Sequence, residues 1–190
     1  MNILIFDTET SGLPTSYKAS FSDVRAWPRI VEIAWVMIDS DLRPVSSSQF
    51  IIRPDDFEIS TGASSIHGIT TVKAKAEGIP LRYALSCFAE DLSDTDLLVA
   101  HNIDFDFPVV NCEFIRSNVQ SSLSRKRRYC TMKSTTNLCN IPGNYGPKWP
   151  KLEELYQFLF ARTFSEAHRA MHDVKATAEC YLELTRRGIA

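Results

Sequence analysis

Residues 3–13 read ILIFDTETSGL, and this stretch decides the fold. The apolar run at its start predicts a buried strand, which ends where Asp7-Thr8-Glu9 begins. Alternate residues of an extended chain point to the same side, so Asp7 and Glu9 are expected to lie side by side. Two neighbouring carboxylates repel each other unless a cation lies between them. The stretch therefore predicts a strand that ends in a carboxylate site, and a simple turn before Gly12 is the alternative.

The remaining strands and helices follow in an order that indicates an α/β domain. Apolar and β-branched runs predict strands at residues 2–6, 29–38, 45–53, 97–100 and 129–132. Helical patterns cover residues 71–77, 80–92, 107–118, 152–160 and 172–187, and residues 54–68 are expected to form a connection. Strands that first form a meander and then alternate with helices indicate a mixed five-stranded sheet flanked by helices. No linker divides the chain, so we expect residues 1–190 to form a single domain.

The composition excludes several classes of protein. The chain has 44% hydrophobic and 23% charged residues, which is typical of a globular protein with a sizeable core. No apolar run approaches the ~20 residues that a membrane span requires, and the N-terminal stretch MNILIFDTETSG lacks the pattern of a signal peptide. The five cysteines are widely spaced and include no CxxC pair. We therefore expect a cytoplasmic protein with no membrane partner.

The net charge of −2 hides an uneven distribution along the chain. Residues 114–152 contain eight Lys or Arg and no Asp or Glu, and Tyr129, Tyr145 and Trp149 lie among these bases. Cations for the phosphates and aromatic faces for the bases suit a single nucleic-acid strand. For the basic run at residues 125–128, a solvated loop is the alternative.

Two later segments combine histidine with aspartate. Residues 100–106 read AHNIDFD and open a helix after the short fourth strand, and residues 168–173 read HRAMHD and open the last helix. Each segment alone is typical of a helix N-terminus, where such side chains cap the helix or lie on the surface. Their order along the chain, after the carboxylate pair of the first strand, is what indicates a function.

The three segments together resemble the motifs of the DEDD family of 3′ to 5′ exonucleases: Asp-x-Glu, His-Asn-x-x-Phe-Asp and His-x-x-x-x-Asp. Arg169 stands where the tyrosine variant of that family has tyrosine, so the chain resembles the histidine variant. The first motif, FDTETSGLP, is similar to that of the proofreading epsilon subunit of bacterial DNA polymerase III. The resemblance continues through RIVEIAW and HGIT, covers nearly the whole chain, and implies a ribonuclease H-like fold.

The resemblance also implies the metal ligands and the general base. Its four metal-binding carboxylates correspond to Asp7, Glu9, Asp106 and Asp173, and its general base corresponds to His168. Two divalent cations, Mg²⁺ or Mn²⁺, are implied as cofactors, and such hard ions prefer oxygen ligands. An imidazole suits the deprotonation of water because it exchanges protons near neutral pH.

Three further residues correspond to positions near the 3′ end of the substrate. The main chain at Thr10 would meet that end, Leu13 would wedge against the terminal bases, and His67 would lie near the cleft. Core packing is the alternative for Leu13, and helix capping or packing is the alternative for His67. Asp104 and His172 do not match the spacing of the motifs.

The expected function is therefore hydrolysis of the terminal phosphodiester of a single strand, with release of nucleoside 5′-monophosphates. DNA is favoured over RNA because the first motif is more similar to that of the DNA-degrading branch of the family. A 3′ to 5′ exoribonuclease of the same fold and an inactive nucleic-acid-binding module are the alternatives. A polymerase partner is possible, although the sequence ends directly after the last helix, without the extension by which the polymerase subunit reaches its partner.

Overall fold

In the computed structural model, which describes residues 1–164 and 168–190, five strands form one mixed sheet. The strands are β1 (Ile3–Thr10), β2 (Ile30–Ile38), β3 (Pro44–Ile51), β4 (Leu97–Ala100) and β5 (Arg127–Cys130). Their order in the sheet is β3-β2-β1-β4-β5. The first three strands are antiparallel neighbours, whereas β4 runs parallel to β1 and β5 runs parallel to β4. The predicted mixed five-stranded sheet is confirmed.

Helices cover both faces of this sheet. In the described residues they are α1 (Thr61–His67), α2 (Thr71–Glu77), α3 (Leu81–Ser93), α4 (Ile103–Arg116), α5 (Thr131–Ser134), α6 (Thr136–Cys139), α7 (Leu152–Phe160) and α8 (Ala170–Arg186). Leu4 and Phe6 pack on the side of α3 and α4, whereas Ile3 and Ile5 pack against α8. None of these helices is both long enough and apolar enough to cross a membrane. The central strand β1 is thus buried between two helical layers.

Strand β1 is longer than the sequence predicts. It continues to Thr10, beyond the predicted end at Phe6, because β2 pairs with it along its whole length and places Glu9 opposite Glu32. The alternative of a turn before Gly12 is therefore wrong for the carboxylate pair, which lies inside the strand. The register shifts between Glu9 and Thr10, so the irregular part begins only after both carboxylates.

The segment expected to be a connection, residues 54–68, contains the short helix α1. The side chain of Ser60 caps its N-terminus by accepting a hydrogen bond from the backbone N–H of Ala63. Gly68 ends it with a φ of 73°, in the left-handed region that favours glycine. Seven residues are too few to show a helical period in the sequence, which is why the prediction failed here.

Helices α4 and α8 begin earlier than predicted. Helix α4 begins at Ile103 instead of residue 107, and α8 begins at Ala170 instead of residue 172. As a result, Asp106 and Asp173 each lie in the first turn of their helix. Their side chains therefore project near the start of a helix that follows a strand or a loop at one end of the sheet.

We predict that Gly78→Ala destabilises the fold by about 1–3 kcal/mol, because an added Cβ would overlap backbone atoms. Gly78 follows α2, and that Cβ would lie 2.6 Å from the backbone nitrogen of Arg53 and closer still to the carbonyl oxygen of Ala74. Urea denaturation measures the loss. Gly62→Ala in α1 is the matched control, since nothing lies within 4 Å of its added Cβ. Equal losses in both variants would contradict the overlap as the cause.

Candidate active site

Two carboxylates project from the end of β1. Asp7 and Glu9 continue the row of Ile3 and Ile5 on the side of α8, because alternate residues of a strand share a face. The apolar first half of β1 buries the strand, so both carboxylates are only half-buried where the strand emerges from the core. The predicted side-by-side pair is therefore present on one face of the sheet.

Asp106 reaches the same end of β1 from α4. Its Oδ1 accepts two hydrogen bonds from Thr8, one from the backbone N–H at 3.0 Å and one from Oγ1 at 2.7 Å. Strand β4 pairs with β1 only as far as Ile5, so no strand lies beside β1 on this side of Thr8. The carboxylate takes the place of a strand partner there. An ordinary helix cap does not describe Asp106, because its side chain accepts two hydrogen bonds from Thr8 of β1.

Asp173 and His168 come together at the start of α8. The Oδ2 of Asp173 accepts a hydrogen bond from the backbone N–H of His168 at 3.0 Å. His168 has a φ of 69°, which is uncommon for a residue with a Cβ, and its side chain is exposed. Glu9, His168 and Asp173 each offer one ligand atom, and these atoms lie within 4.8 Å of one another. This cluster could hold a metal ion.

Burial raises the pKa of all four carboxylates, and their mutual repulsion raises most of them further. The pKa of Asp7 is well above its ordinary value because of burial and the charges of Asp106 and Asp173. Burial and the charge of Asp173 raise the pKa of Glu9 to about 8. Burial raises the pKa of Asp106 to about 7, although the hydrogen bonds from Thr8 act in the opposite direction. For Asp173, burial raises the pKa to about 6. A cation would stabilise the charged forms that burial disfavours.

A buried ion pair that the sequence analysis missed anchors the start of α8. The fully buried carboxylate of Glu32 accepts hydrogen bonds from Arg169 Nη2 at 2.9 Å, Gln49 Nε2 at 2.8 Å and the backbone N–H of Ala170 at 3.0 Å. Burial alone would raise the pKa of Glu32, but these hydrogen bonds outweigh it and hold the pKa below its ordinary value. The pair fixes the chain directly beside His168. Its sequence signal was the single acid within the apolar strand RIVEIAWVMI, because a buried carboxylate requires a partner.

A mainly apolar cavity of about 560 Å³ lies on one side of the carboxylates. Its lining includes Glu9, Thr10, Leu13, Ile66, His67 and Phe105. The cavity thus brings together the three residues that were predicted to lie near the substrate. The side chain of Leu13 is 75% exposed, so the alternative of core packing is wrong for it.

His67 is buried at the base of this cavity and fixes the main chain of β1. Its Nδ1 accepts a hydrogen bond from the backbone N–H of Ile69 at 3.1 Å, which assigns the ring proton to Nε2. Nε2 then donates to the carbonyl oxygen of Thr10 at 3.3 Å. Burial lowers the pKa of His67, so the ring is neutral at neutral pH. These contacts give His67 a packing role, in a place that also borders the cavity.

A smaller cavity of about 260 Å³ lies on the other side of the carboxylates. Its lining includes Asp7, His101, Lys151, Phe164, His168 and Asp173. His101 is held between the hydroxyl of Thr131 and the carbonyl oxygen of Pro150, each at 3.0 Å, and burial lowers its pKa to about 4. The carboxylates therefore stand between two cavities. Asp104, which the motif spacing excludes, lies outside both and forms an ion pair with Lys133.

Much of the positive charge in residues 114–152 is already engaged within the protein. Four of its basic residues contact protein oxygens: Arg116 pairs with Glu113, Lys133 with Asp104 and Lys148 with Glu154, and Lys126 donates to the carbonyl oxygens of Ser93 and Thr95. Arg127 and Arg128 belong to β5, and the guanidinium of Arg128 lies over the ring of Phe107. Residues 125–128 are therefore not a loop throughout, although Arg125, Arg127 and Arg128 are exposed to solvent.

A mixed sheet between two helical layers, with carboxylates at the end of its central strand, defines the ribonuclease H-like class of α/β proteins. The model of the RNase T exonuclease family matches residues 4–181, and the chain belongs to this family. No curated protein matches the sequence significantly.

Solved structures of exonuclease I are similar to this chain. The zinc-bound complex of E. coli exonuclease I with single-stranded DNA has a TM-score of 0.77 and 24% identity, over 98% of this chain and 41% of that chain. The complex of the E. coli enzyme with a dT13 oligonucleotide has a TM-score of 0.77 and 23% identity, over 98% of this chain and 42% of that chain. A product-bound exonuclease I has a TM-score of 0.76 and 21% identity, over 99% of this chain and 44% of that chain. This chain therefore spans about two fifths of the length of those chains, and the likeness confirms the predicted ribonuclease H-like fold.

We predict that Arg169→Met lowers the free energy of unfolding by about 3 kcal/mol, because it leaves the buried charge of Glu32 without its partner. This value lies at the low end of the expected range, since the side chain of Arg169 is 37% exposed. Because the folded-state pKa of Glu32 is lowered, the loss is present above the unfolded pKa and shrinks as pH falls through the folded pKa.

Urea denaturation of Arg169→Met from neutral to acidic pH measures this effect. The double variant Glu32→Gln with Arg169→Met is the matched control, since it removes both charges and is expected to recover much of the loss. A double variant less stable than Arg169→Met would show that packing, and not the uncompensated charge, is the cause.

We predict that the metal-free protein becomes less stable as pH rises from about 4 to about 8. The folded-state pKa values of the site carboxylates are raised, so the folded state binds protons more tightly than the unfolded state does. Asp7→Asn is expected to raise the melting temperature in EDTA by several degrees near pH 8, and by less near pH 5, since ~1 kcal/mol corresponds to about 2–4 °C in a domain of this size. Differential scanning fluorimetry measures both shifts. The exposed Glu58→Gln is the control, and an equal gain there would refute site repulsion as the cause.

Proposed function

We propose that this chain is a metal-dependent 3′ to 5′ exonuclease that removes nucleoside 5′-monophosphates from single-stranded DNA. One observation carries the proposal: β1, α4 and α8 bring four carboxylates and an exposed histidine to one place, in a chain that belongs to an exonuclease family. The similar exonuclease I structures were solved with single-stranded DNA oligonucleotides, which supports DNA as the substrate. The direction of degradation, the DNA substrate and the roles of individual residues all go beyond the family assignment.

The donor set fits hard divalent cations such as Mg²⁺ or Mn²⁺. Asp7, Glu9, Asp106 and Asp173 supply only carboxylate oxygens, which these ions prefer, and the raised pKa values show that the site concentrates more negative charge than its surroundings stabilise. Bound at this site, such ions would supply charge stabilisation for the attacking and leaving oxygens of a displacement at phosphorus. We assign the four carboxylates as the ligands that would hold them.

We assign His168 as the general base that takes a proton from the attacking water. Its side chain is exposed beside the carboxylates, and its backbone is fixed by the hydrogen bond to Asp173. An imidazole is the side chain most often used as a general base, and the exposure of this one leaves a path for the proton to solvent. General-base catalysis of this kind contributes typically about 10²–10⁴-fold to the rate.

We assign the larger cavity to the terminal nucleotide. Leu13, Ile66 and Phe105 offer apolar surface for a base, and the cavity of about 560 Å³ is within the usual size range of small-molecule sites. The carbonyl of Thr10, which His67 holds in place, would face the 3′ end. In this arrangement the phosphodiester to be cleaved lies over the carboxylates.

The test is product analysis on 5′-labelled DNA and RNA of equal sequence, with Mg²⁺ or with EDTA. We expect stepwise shortening of the DNA from its 3′ end in Mg²⁺, nucleoside 5′-monophosphates as products, and no shortening in EDTA. Asp173→Asn and His168→Ala should each lose at least about 10²-fold in rate. Asp104→Asn is the matched control, because Asp104 lies only two positions before Asp106 but outside the site.

Each other outcome has a distinct meaning. Faster degradation of RNA would identify an exoribonuclease, and binding without hydrolysis would identify an inactive binding module. Cleavage of a strand whose 3′ end is blocked would identify an endonuclease. Wild-type rates in His168→Ala would refute the role of that residue while leaving the fold unaffected.

A further inference from the structure

A short aromatic hairpin beside the smaller cavity has no role in the chemistry above. It consists of β6 (Pro142–Gly143) and β7 (Gly146–Pro147), which pair in antiparallel fashion and are joined by Asn144 and Tyr145. We propose that this hairpin binds the bases of a single nucleic-acid strand upstream of the cleaved end. The inference rests on the proposed function and adds to it the surface that holds the rest of the substrate.

The hairpin is a defined turn that presents its tip in one orientation. A Cβ on Gly143 would lie 2.7 Å from the carbonyl oxygen of Gly146, so the two strands approach too closely for a side chain there. Gly146 has a φ of 117°, a conformation that favours glycine. The backbone N–H of Lys148 closes the base of the hairpin by donating to the carbonyl oxygen of Ile141 at 2.9 Å. Tyr145 at the tip is therefore held away from the protein surface.

Two aromatic side chains of the hairpin region are exposed. Tyr145 at the tip is fully exposed, and Trp149 just after β7 is 60% exposed. Lys133 lies beside Trp149, with its Nζ 5.8 Å from the ring centroid, and Lys148 and Lys151 flank Trp149 along the chain. Aromatic faces between lysines suit a strand whose bases stack and whose phosphates are negative.

The chain leads from the hairpin directly into the candidate active site. The carbonyl of Pro150 is held by His101 at 3.0 Å, and the next residue, Lys151, lines the smaller cavity together with Asp7 and Asp173. The terminal nucleotide is assigned to the larger cavity, which Glu9 lines, whereas Asp7 and Asp173 line the smaller one. A strand that passes from the larger cavity over these carboxylates would reach the smaller cavity, from which Lys151 leads back along the chain to the hairpin.

Stacking is expected to contribute more than charge at this surface. Lys133 already pairs with Asp104, and Lys148 already pairs with Glu154, so both are partly neutralised. Contact between these lysines and a bound strand would therefore release fewer counterions than contact with unpaired lysines would. Removal of an aromatic ring should weaken binding without changing the dependence of binding on salt concentration.

The experiment compares a dinucleotide with a twelve-nucleotide DNA strand as substrates of Trp149→Ala and Tyr145→Ala. We expect KM for the long strand to rise about tenfold in each variant, the order expected for one lost base stack, with kcat unchanged. On the dinucleotide, which has a single base upstream of the cleaved bond and no strand beyond it to reach the hairpin, both variants should behave as wild type. Long strands with abasic residues upstream of the terminal nucleotides should raise KM for wild type, and should raise it less for each Ala variant, which retains only one of the two rings.

Two controls separate stacking from a general disturbance. Trp149→Phe and Tyr145→Phe retain an aromatic face and should keep most of the affinity. Tyr83→Ala removes another exposed aromatic ring, which contacts Phe50 on β3, and β3 and β5 are opposite edges of the sheet. This variant should leave KM unchanged on both substrates. Melting temperatures close to that of wild type will show that all variants are folded.

Binding of labelled DNA in EDTA, measured by fluorescence anisotropy, separates this inference from the proposed function. If wild type hydrolyses no strand but the two Ala variants bind DNA more weakly, the proposed function fails and the hairpin surface stands. If wild type hydrolyses DNA and the Ala variants match it in KM and in affinity, the hairpin inference is overturned alone. An equal rise in KM on the dinucleotide would also overturn it, because the upstream bases would then not be involved.

Discussion

The repulsion among carboxylates at the end of β1 is the constraint on which the rest of the structure depends. Within the described residues, Asp7, Glu9, Asp106 and Asp173 form no ion pair with lysine or arginine, and burial raises the pKa of each. Glu32, on the neighbouring strand, has Arg169 as its partner, and its pKa is lowered. Acids on adjacent strands of the sheet therefore differ in whether a positively charged side chain pairs with them. Glu32 has its own cationic partner, whereas the four others have no lysine or arginine partner among the described residues, which is typical of a site kept at a cost in stability.

The sequence was sufficient to predict the sheet and the side-by-side carboxylates of its first strand, because those features depend on local patterns. Apolar runs predicted the first four strands, and the alternation of a strand placed Asp7 beside Glu9. The fifth strand was predicted at residues 129–132 but lies at Arg127–Cys130, and helix α5 begins at Thr131. The place of Asp106 and Asp173 in the candidate site could not be predicted in this way, because the local sequence pattern alone favoured helix caps. The hydrogen-bond partner of Asp106 is Thr8, 98 positions away, and only tertiary structure brings them together. For these residues the resemblance to a family supplied what local physics could not.

What the sequence did not show depends on contacts between distant segments. Glu32 and Arg169 are 137 positions apart, and nothing in the neighbourhood of either residue identifies the other. The same holds for the basic segment at residues 114–152, where acids from outside the segment neutralise part of its charge: Asp104 and Glu154 pair with Lys133 and Lys148. A sum of charges over a segment counts side chains but does not locate their partners. The net charge of the segment therefore overstates the positive charge that is open to a ligand.

The register between β1 and β2 links the carboxylates of the candidate site to the structural acid Glu32. Glu9 lies opposite Glu32, so both face α8, where one meets Asp173 and the other holds Arg169. A slip of one residue along β1 would turn Asp7 and Glu9 to the opposite face of the sheet, away from α8. The apolar row of Ile3 and Ile5 would turn with them and lose its packing against α8. The core therefore selects the one register in which the carboxylates meet the helix that completes the site, and the stability of β1 and the geometry of the site are set by the same pattern of residues.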